Sequence, residues 1–264
     1  MGLSANFIMG IVNITPDSFS DGGLYVQPGL ATQKALELLE DGADILDIGA
    51  ESTRPGAQTI GAEEEWARLE PVLDRCIALG IQDRVSIDTS KPELMVKGAD
   101  AGIGYINDVK GGADDATLTY LAKRGITYIA MHMEGTPSTM QVNPLGGESA
   151  LKKVDQFYTQ VESRLKRCGF SKENIWLDPG IGFGKTDEAN VKLLKQAYER
   201  ASTFNLVVGV SRKSMIGRTL GIEEPLERDH PSKMLELGLL MAGVRAIRTH
   251  EVSQLAQLRK MIEH

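Results

Sequence analysis

Eight compact polar clusters in this 264-residue chain each follow directly on a short apolar run. They are Asn13, Glu51 to Arg54, Asp88, Asn107, His132, Asp178, Ser211 to Lys213, and Arg248 with His250. Asp88, Asp178 and Asn107 suit the donor edge of a planar 2-amino-4-oxo ring such as a pterin or guanine. A carboxylate can accept two N–H bonds side by side, and the amide adds a donor and an acceptor. Each of the three alone serves equally well as a partner for strand-end backbone, and Asp178 before Pro179 and Gly180 also fits a turn; the three together favour a ligand. The segment Asp178 to Thr186 looks like a phosphate loop but fails its rules. Pro179 stands where a Walker A loop needs Gly, and Lys185 stands where a dinucleotide fingerprint needs its third Gly. What remains is a carboxylate, a glycine-rich turn that lets a flat ligand approach the backbone, and Phe183 to stack on it.

Positive charge gathers at Arg212, Lys213, Arg248 and His250, a set suited to phosphate or diphosphate. Arg forks onto phosphate oxygens, Lys adds a compact charge, and a helix expected to start near Ser211 adds backbone donors. If the last strand lies beside the first, Asn13 comes close to Arg248 and His250, and its amide oxygen could help hold Mg²⁺ carried in by a diphosphate. A polar residue capping the last helix is the plainer reading of His250. Zinc is disfavoured, because the four histidines show no metal-ligand spacing.

The elements that must position these groups follow from the apolar pattern. Short runs rich in β-branched and aromatic residues span Phe7 to Val12, Ile45 to Ile48, Val85 to Ile87, Tyr105 to Ile106, Tyr128 to Met131, Ile175 to Leu177, Leu206 to Val210 and Ala246 to Ile247. Between them the period changes to three and four, as in Leu151, Val154, Phe157 with Tyr158, Val161 and Leu165, and in Val252, Leu255, Leu258 and Ile262. Alternating strands and helices at this length predict an α/β fold, a single (β/α)₈ TIM barrel domain over residues 1–264, whose eight C-terminal strand ends meet on one face where active sites are built. The segments Asn13 to Gly29 and Glu51 to Gly61, rich in Ser, Thr, Asp, Gly and Pro, read as lid loops over that face.

Composition narrows the partners. With 42% apolar residues the chain can fill a barrel and coat its helices. A formal net charge of -7 and the lack of a dense Lys and Arg stripe argue against nucleic acid. No stretch reaches the roughly 18 apolar residues that span a bilayer, which points to no membrane and a cytoplasmic location. Cys76 and Cys168, both in predicted helices far apart in sequence, read as reduced, partly buried thiols.

The motifs themselves carry a family resemblance that spans almost the whole chain. Ile8-Met9-Gly10-Ile11-Val12-Asn13-Ile14-Thr15-Pro16-Asp17-Ser18-Phe19-Ser20-Asp21-Gly22-Gly23 resembles the first signature of dihydropteroate synthases, and Asp47-Ile48-Gly49-Ala50-Glu51-Ser52-Thr53-Arg54-Pro55-Gly56 the second. Ser86-Ile87-Asp88-Thr89-Ser90-Lys91-Pro92, Ile106-Asn107-Asp108, the Asp178 segment, Ser211-Arg212-Lys213-Ser214 and Arg248-Thr249-His250 follow in family order. The resemblance implies a pterin-binding TIM barrel that joins 6-hydroxymethyl-7,8-dihydropterin diphosphate to 4-aminobenzoate in folate synthesis, releasing diphosphate. It implies that Asp88, Asn107, Asp178 and Lys213 hold the pterin with apolar contact from Met131 and Phe183. It further implies that Asn13 binds Mg²⁺, and that Thr53, Arg248, Thr249 and His250 lie on the substrate. Ser211, Thr53, Pro55, Phe183 and Arg212 would shape the aminobenzoate pocket, while Asp17, Ser18, Asp21 and Arg54 belong to the lid loops. It also implies a target of sulfonamides, which resemble aminobenzoate, and a homodimer.

This chain departs from the family pattern in two places. The first strand begins almost at the first residue, where many relatives carry an N-terminal hairpin under the barrel. Asp229-His230-Pro231-Ser232-Lys233 replaces a small Gly-Ser-Ala type of helix start. Two other readings remain: a pterin-binding methyltransferase domain working with a corrinoid partner, which would not need the lid signatures around Asp17 and Arg54, and a non-catalytic pterin-binding barrel.

Overall fold

A computed structural model describes residues 6–15, 28–53 and 56–263. The lid-loop residues Asp17, Ser18, Asp21, Arg54 and Pro55 lie outside the described residues. Strands β1 (Phe7–Asn13), β2 (Ile45–Gly49), β3 (Val85–Asp88), β4 (Tyr105–Asp108), β5 (Thr127–Met131), β6 (Ile175–Asp178), β7 (Val207–Gly209) and β8 (Ala246–Thr249) alternate with helices α1 (Pro28–Glu40), α2 (Ala62–Ala78), α3 (Pro92–Asp100), α4 (Asp115–Lys123), α5 (Gly147–Arg167), α6 (Asp187–Arg200), α7 (Ser214–Leu220), α8 (Asp229–Met241) and α9 (Ser253–Glu263). All ladders are parallel, in the order β6-β5-β4-β3-β2-β1-β8-β7, and a single bridge between Leu177 and Leu206 joins the two outer strands into a ring. The TIM barrel expected from the apolar rhythm is present.

Strand ends differ from expectation in one systematic way. Asn13, Gly49, Asp88, Asn107 with Asp108, Asp178 and Arg248 with Thr249 continue their ladders rather than follow them. Hydrophobicity stops before the backbone pairing does, so the polar tips are held by the sheet itself. In the other direction β7 is shorter than the apolar run suggests, because Leu206 and Val210 fall outside it.

Side chains alternate between the barrel interior and the helix layer along each strand. Met9, Ile45, Ile129, Trp176, Val207 and Ala246 form one buried cluster, with Phe7 and Tyr105 against it. The intervening Ile8, Leu46, Ile106, Tyr128, Leu177, Val208 and Ile247 belong to the larger core under the helices. Two residues further along the same interior rows stand Asp47, Asn107, Met131, Asp178 and Arg248. The interior therefore changes from apolar to polar within one side-chain layer, toward the end where the helices begin.

At the opposite end the barrel is stoppered by aromatic rings. Phe7 and Tyr105 each sit 5.4 Å from the Trp176 ring, and the Arg245 guanidinium lies 4.9 Å from Phe7 and 5.5 Å from Trp176. Arg259 of α9 donates to Asp44, which accepts the Ile8 amide at 2.8 Å and so ties the last helix to this rim. Around the wall, Val154, Tyr158 and Leu165 of the predicted α5 stripe are buried together with Ala150, while Leu151, Phe157 and Val161 are partly buried against the same core. Cys76 is buried in α2; Cys168 caps α5 rather than lying within it, and both thiols are free and buried.

Trp176 carries the interior of the stopper, so Trp176→Ala should destabilise the fold by about 3–5 kcal/mol. Urea unfolding followed by far-UV circular dichroism checks this, and a loss below about 1 kcal/mol would show that the ring cluster is not the interior keystone.

Candidate active site in the barrel mouth

The polar layer is organised by Asp47, fully buried on β2. Its Oδ2 accepts from Arg248 Nε at 2.5 Å and from Asn107 Nδ2 at 3.1 Å, and its Oδ1 accepts from the Ser86 hydroxyl at 2.6 Å. Arg248 also donates through Nη2 to Asp88 Oδ2 at 2.9 Å. One guanidinium from β8 thus spans the barrel interior to carboxylates on β2 and β3, with the β4 amide beside them. Burial opposes the charge on Arg248, but Asp47 and Asp88 outweigh it and hold the guanidinium protonated far above its usual range. Asp88 moves the other way: burial and the neighbouring Asp47 carboxylate push it up to about 8, although Arg248 pulls down. Two carboxylates around one cation favour retaining a proton, and a protonated carboxyl offers a planar ligand both a donor and an acceptor.

Across the mouth Asp178 is buried at the end of β6, opposite Met131 in the β5 register. Its Oδ1 accepts the Gly180 amide at 2.6 Å. Burial raises the Asp178 carboxyl while Lys213 counteracts. Lys213, at the N-cap of α7, donates to the Ile181 carbonyl and sits 4.9 Å over the Phe183 ring. Burial brings this lysine down to about 8, against the pull of Asp178. The ring face of Phe183, the Lys213 ammonium and the Asp178 carboxyl therefore form one wall of the mouth.

Between β7 and β8 the Ser211 hydroxyl meets the His250 backbone amide at 3.2 Å and its Nδ1 at 3.0 Å, joining the tips of two strands. The turn that follows carries Arg212 at φ 57, the one non-glycine with positive φ among the described residues. Its guanidinium is given to Asp229 through Nε at 2.7 Å and Nη2 at 2.9 Å, and its amide donates to Ser232 Oγ. The unusual stretch at the start of α8 thus serves as the anchor of this turn. The helix starts at Ser214, three residues later than expected, so Ser211 is not at its N-terminus.

Asn13 ends β1 half-buried opposite Gly49, while the β8 register sets Arg248 beside Met9 and Thr249 beside Gly10, four and three positions before Asn13, so the ladder does not bring Asn13 beside Arg248 as the sequence reading expects. Thr53 lies half-buried beyond β2. Thr249 does not join the mouth: it is fully buried, and its hydroxyl accepts from Lys233 Nζ at 2.9 Å on the helix side of β8. Its place between inward-facing Arg248 and the loop dictates this, since neighbours along a strand face opposite ways. His132 is buried at the exit of β5, where burial lowers its imidazole to about 4 and keeps it neutral.

Sequence reasoning left three groups without a role. Asp47 carries no role of its own in the motif that contains it, yet a charged residue inside Ile45-Leu46-Asp47-Ile48 is the signal for an interior partner. Lys91 bridges Glu51 at 2.5 Å and the fully buried Glu65, so it binds the base of the loop after β2 to α2 and α3. Lys185 is buried behind the Asp178 loop. Among the described residues no group of three His, Cys, Asp or Glu could cage a metal ion.

The chain matches the sequence family described as pterin binding enzyme over residues 9–250. A protein from Neisseria meningitidis serogroup C named dihydropteroate synthase is 42% identical over 268 residues, covering 100% of this chain and 94% of the relative. Among solved structures, a Xanthomonas albilineans dihydropteroate synthase with 4-aminobenzoic acid superposes with a TM-score of 0.87 at 35% identity, covering 99% of this chain and 94% of that one. The same organism's dihydropteroate synthase in complex with 7,8-dihydropteroate gives 0.85 at 32% identity, covering 100% and 94%.

The raised Asp88 fixes a pH test. Its folded state binds a proton up to about pH 8, whereas the unfolded carboxyl releases it near the ordinary 3.8. This contribution to stability is full below that lower value and is lost as pH rises through the upper one. The melting temperature of Asp88→Asn relative to wild type should therefore rise between about pH 5 and about pH 9. A difference that stays constant over that range would remove the shared-proton arrangement.

Proposed function

The chain belongs to the dihydropteroate synthase branch of the pterin-binding enzymes, and from that premise we infer how its barrel mouth performs the transfer. The reaction joins 6-hydroxymethyl-7,8-dihydropterin diphosphate to 4-aminobenzoate, giving 7,8-dihydropteroate and diphosphate. The observation that carries the assignment is the convergence of Asp88, Asn107 and Asp178 on one mouth, with Arg248 and Lys213 between them.

In this proposal the pterin edge meets Asp88, Asn107 and Asp178, with its ring against Met131 and Phe183 and with Lys213 holding one side. The side chains of Arg248 and His250, with Thr53, receive the diphosphate. Arg248 uses two donors on Asp47 and Asp88, and a guanidinium has five, so donors remain for phosphate oxygens. Ser211 and Phe183 border the aminobenzoate, and Arg212 supports that border from its anchor on Asp229. The lid residues Asp17, Ser18, Asp21, Arg54 and Pro55 are proposed to close over both substrates.

Asn13 fits Mg²⁺ as a single oxygen ligand at the strand tip, because Mg²⁺ keeps waters and takes phosphate oxygens alongside one or two protein groups. When bound there, the ion neutralises charge on the diphosphate. The protein needs no nucleophile. The C–O bond to diphosphate breaks as negative charge grows on the leaving group, and Arg248 and His250 stabilise it. Positive charge on the pterin methylene is favoured by the electrons of the ring itself. The neutral aromatic amine then forms the C–N bond and loses a proton.

We also propose a homodimer, supported by Met234 and Met241, which lie exposed seven residues apart on α8. A cytoplasmic setting fits the two unpaired thiols. Among the described residues no helix is long and apolar enough to cross a membrane. Sulfonamides are proposed to compete at the aminobenzoate border.

Diphosphate release with the pterin diphosphate and Mg²⁺, measured with and without 4-aminobenzoate, tests the function. Release that depends on aminobenzoate and yields dihydropteroate is expected; tight pterin binding without turnover would favour a methyltransferase-like or non-catalytic barrel. In the same assay Arg248→Ala should cut turnover by about a hundredfold or more with less effect on the aminobenzoate KM. Lys213→Ala should raise the pterin diphosphate KM by about tenfold. Unchanged kinetics in both variants would remove these roles.

A further inference from the structure

Lys185 is a buried lysine, 2% exposed, that no step of the transfer uses. Its ammonium has three N–H donors, and three backbone carbonyls receive them: His132 at 3.2 Å, Gly180 at 2.9 Å and Phe183 at 2.9 Å. The first belongs to the exit of β5 and the other two to the loop after β6, so one side chain pins the loop to the neighbouring strand. The surrounding loop admits no slack. A Cβ at Gly180, φ +63, would fall 1.9 Å from the His132 carbonyl oxygen, and one at Gly184, φ +69, would fall 2.4 Å from that of Glu134. Asn190 of α6 completes the frame, accepting the Gly182 amide at 2.8 Å and donating to the Lys185 carbonyl at 3.3 Å.

We propose that Lys185 is a positioning residue for ring recognition, its ammonium fixing the β6–α6 loop so that Phe183 and the Asp178 carboxyl stand at the spacing a flat pterin requires. The role rests on the pterin reading given above. Nothing about it requires Lys185 to touch the ligand; it acts through the two groups that do.

The electrostatics around it sharpen the consequence. Burial lowers Lys185 to about 7; Asp178 and Glu134 oppose that shift, Lys213 adds to it, and the neighbouring His132 is neutral. A neutral amine keeps only two N–H donors, so losing the proton releases one carbonyl of the three. Linkage then requires a ligand that needs the pinned loop to bind the protonated form better and to raise the lysine's pKa.

The test uses 6-hydroxymethyl-7,8-dihydropterin, which carries no phosphate charge, and separately inorganic diphosphate with Mg²⁺, each titrated calorimetrically into wild type and Lys185→Met. The pterin should bind the variant about tenfold more weakly, because methionine donates to none of the three carbonyls and leaves the loop unpinned, while diphosphate affinity stays within about twofold. Equal pterin affinity overturns the role, and equal weakening of both ligands overturns it in favour of a general support of the fold. If the variant does not fold, the wild type decides: the ¹³Cε resonance of Lys185 must titrate at higher pH with the neutral pterin bound, and an unmoved titration overturns the proposal. Failure of the wild type to bind the pterin at all would overturn the pterin reading together with this role, whereas normal wild-type binding isolates Lys185.

Discussion

A guanidinium placed inside a barrel must be paired, because an isolated charge taken out of water carries a penalty of several kcal/mol. Arg248 meets that requirement with carboxylates on β2 and β3, and the rest of the mouth is arranged around the arrangement that results. Asp47 must stay buried, so Ser86 and Asn107 must complete its oxygen bonds. Asp88 is left in a site where a proton is favourable. Asn107, fixed through its amide nitrogen, is thereby oriented. Removing any one of these groups strands the others, which makes the polar layer a unit rather than a collection of contacts.

Much of the architecture was legible because barrel strands announce themselves by short β-branched runs, and the parallel connections leave few alternatives. Their ends were less legible. Ile106 and Ile247 close the apolar runs, but pairing continues through Asn107 and Asp108, and through Arg248 and Thr249, since a ladder depends on backbone rather than on side-chain polarity. The candidate site shows the same division. Asp88, Asn107, Asp178 and Arg248 were visible as polar tips, and the structure gathers them at one mouth. Thr249 was grouped with them by adjacency and is separated by the alternation of the strand.

Partners of buried charges were the least visible. Asp47 offers a hint, a lone acid within an apolar run, but Lys185, Glu65 and Lys233 lie in segments whose composition fits ordinary surface helix or loop. Lys233 and Glu236 are neighbours on one face of α8, but only tertiary packing brings Lys233 to the Thr249 hydroxyl and the Glu251 carbonyl, or Lys91 to Glu51 and Glu65. The start of α8 illustrates the point. It reads as a departure from a family pattern, yet in the fold Asp229 fastens Arg212, Ser232 caps the same turn and Lys233 braces the strand carrying Arg248.

The ring of strands is closed unevenly: where other neighbours share a ladder, β6 and β7 share the bridge of Leu177 with Leu206. Across that seam run the Lys213 contacts with Ile181 and Phe183. Side chains kept for recognition therefore also act as the clasp of the cylinder. Such double duty narrows evolutionary drift, because a lineage that relaxed its choice of ligand by replacing Lys213 would loosen the closure of its own scaffold in the same step.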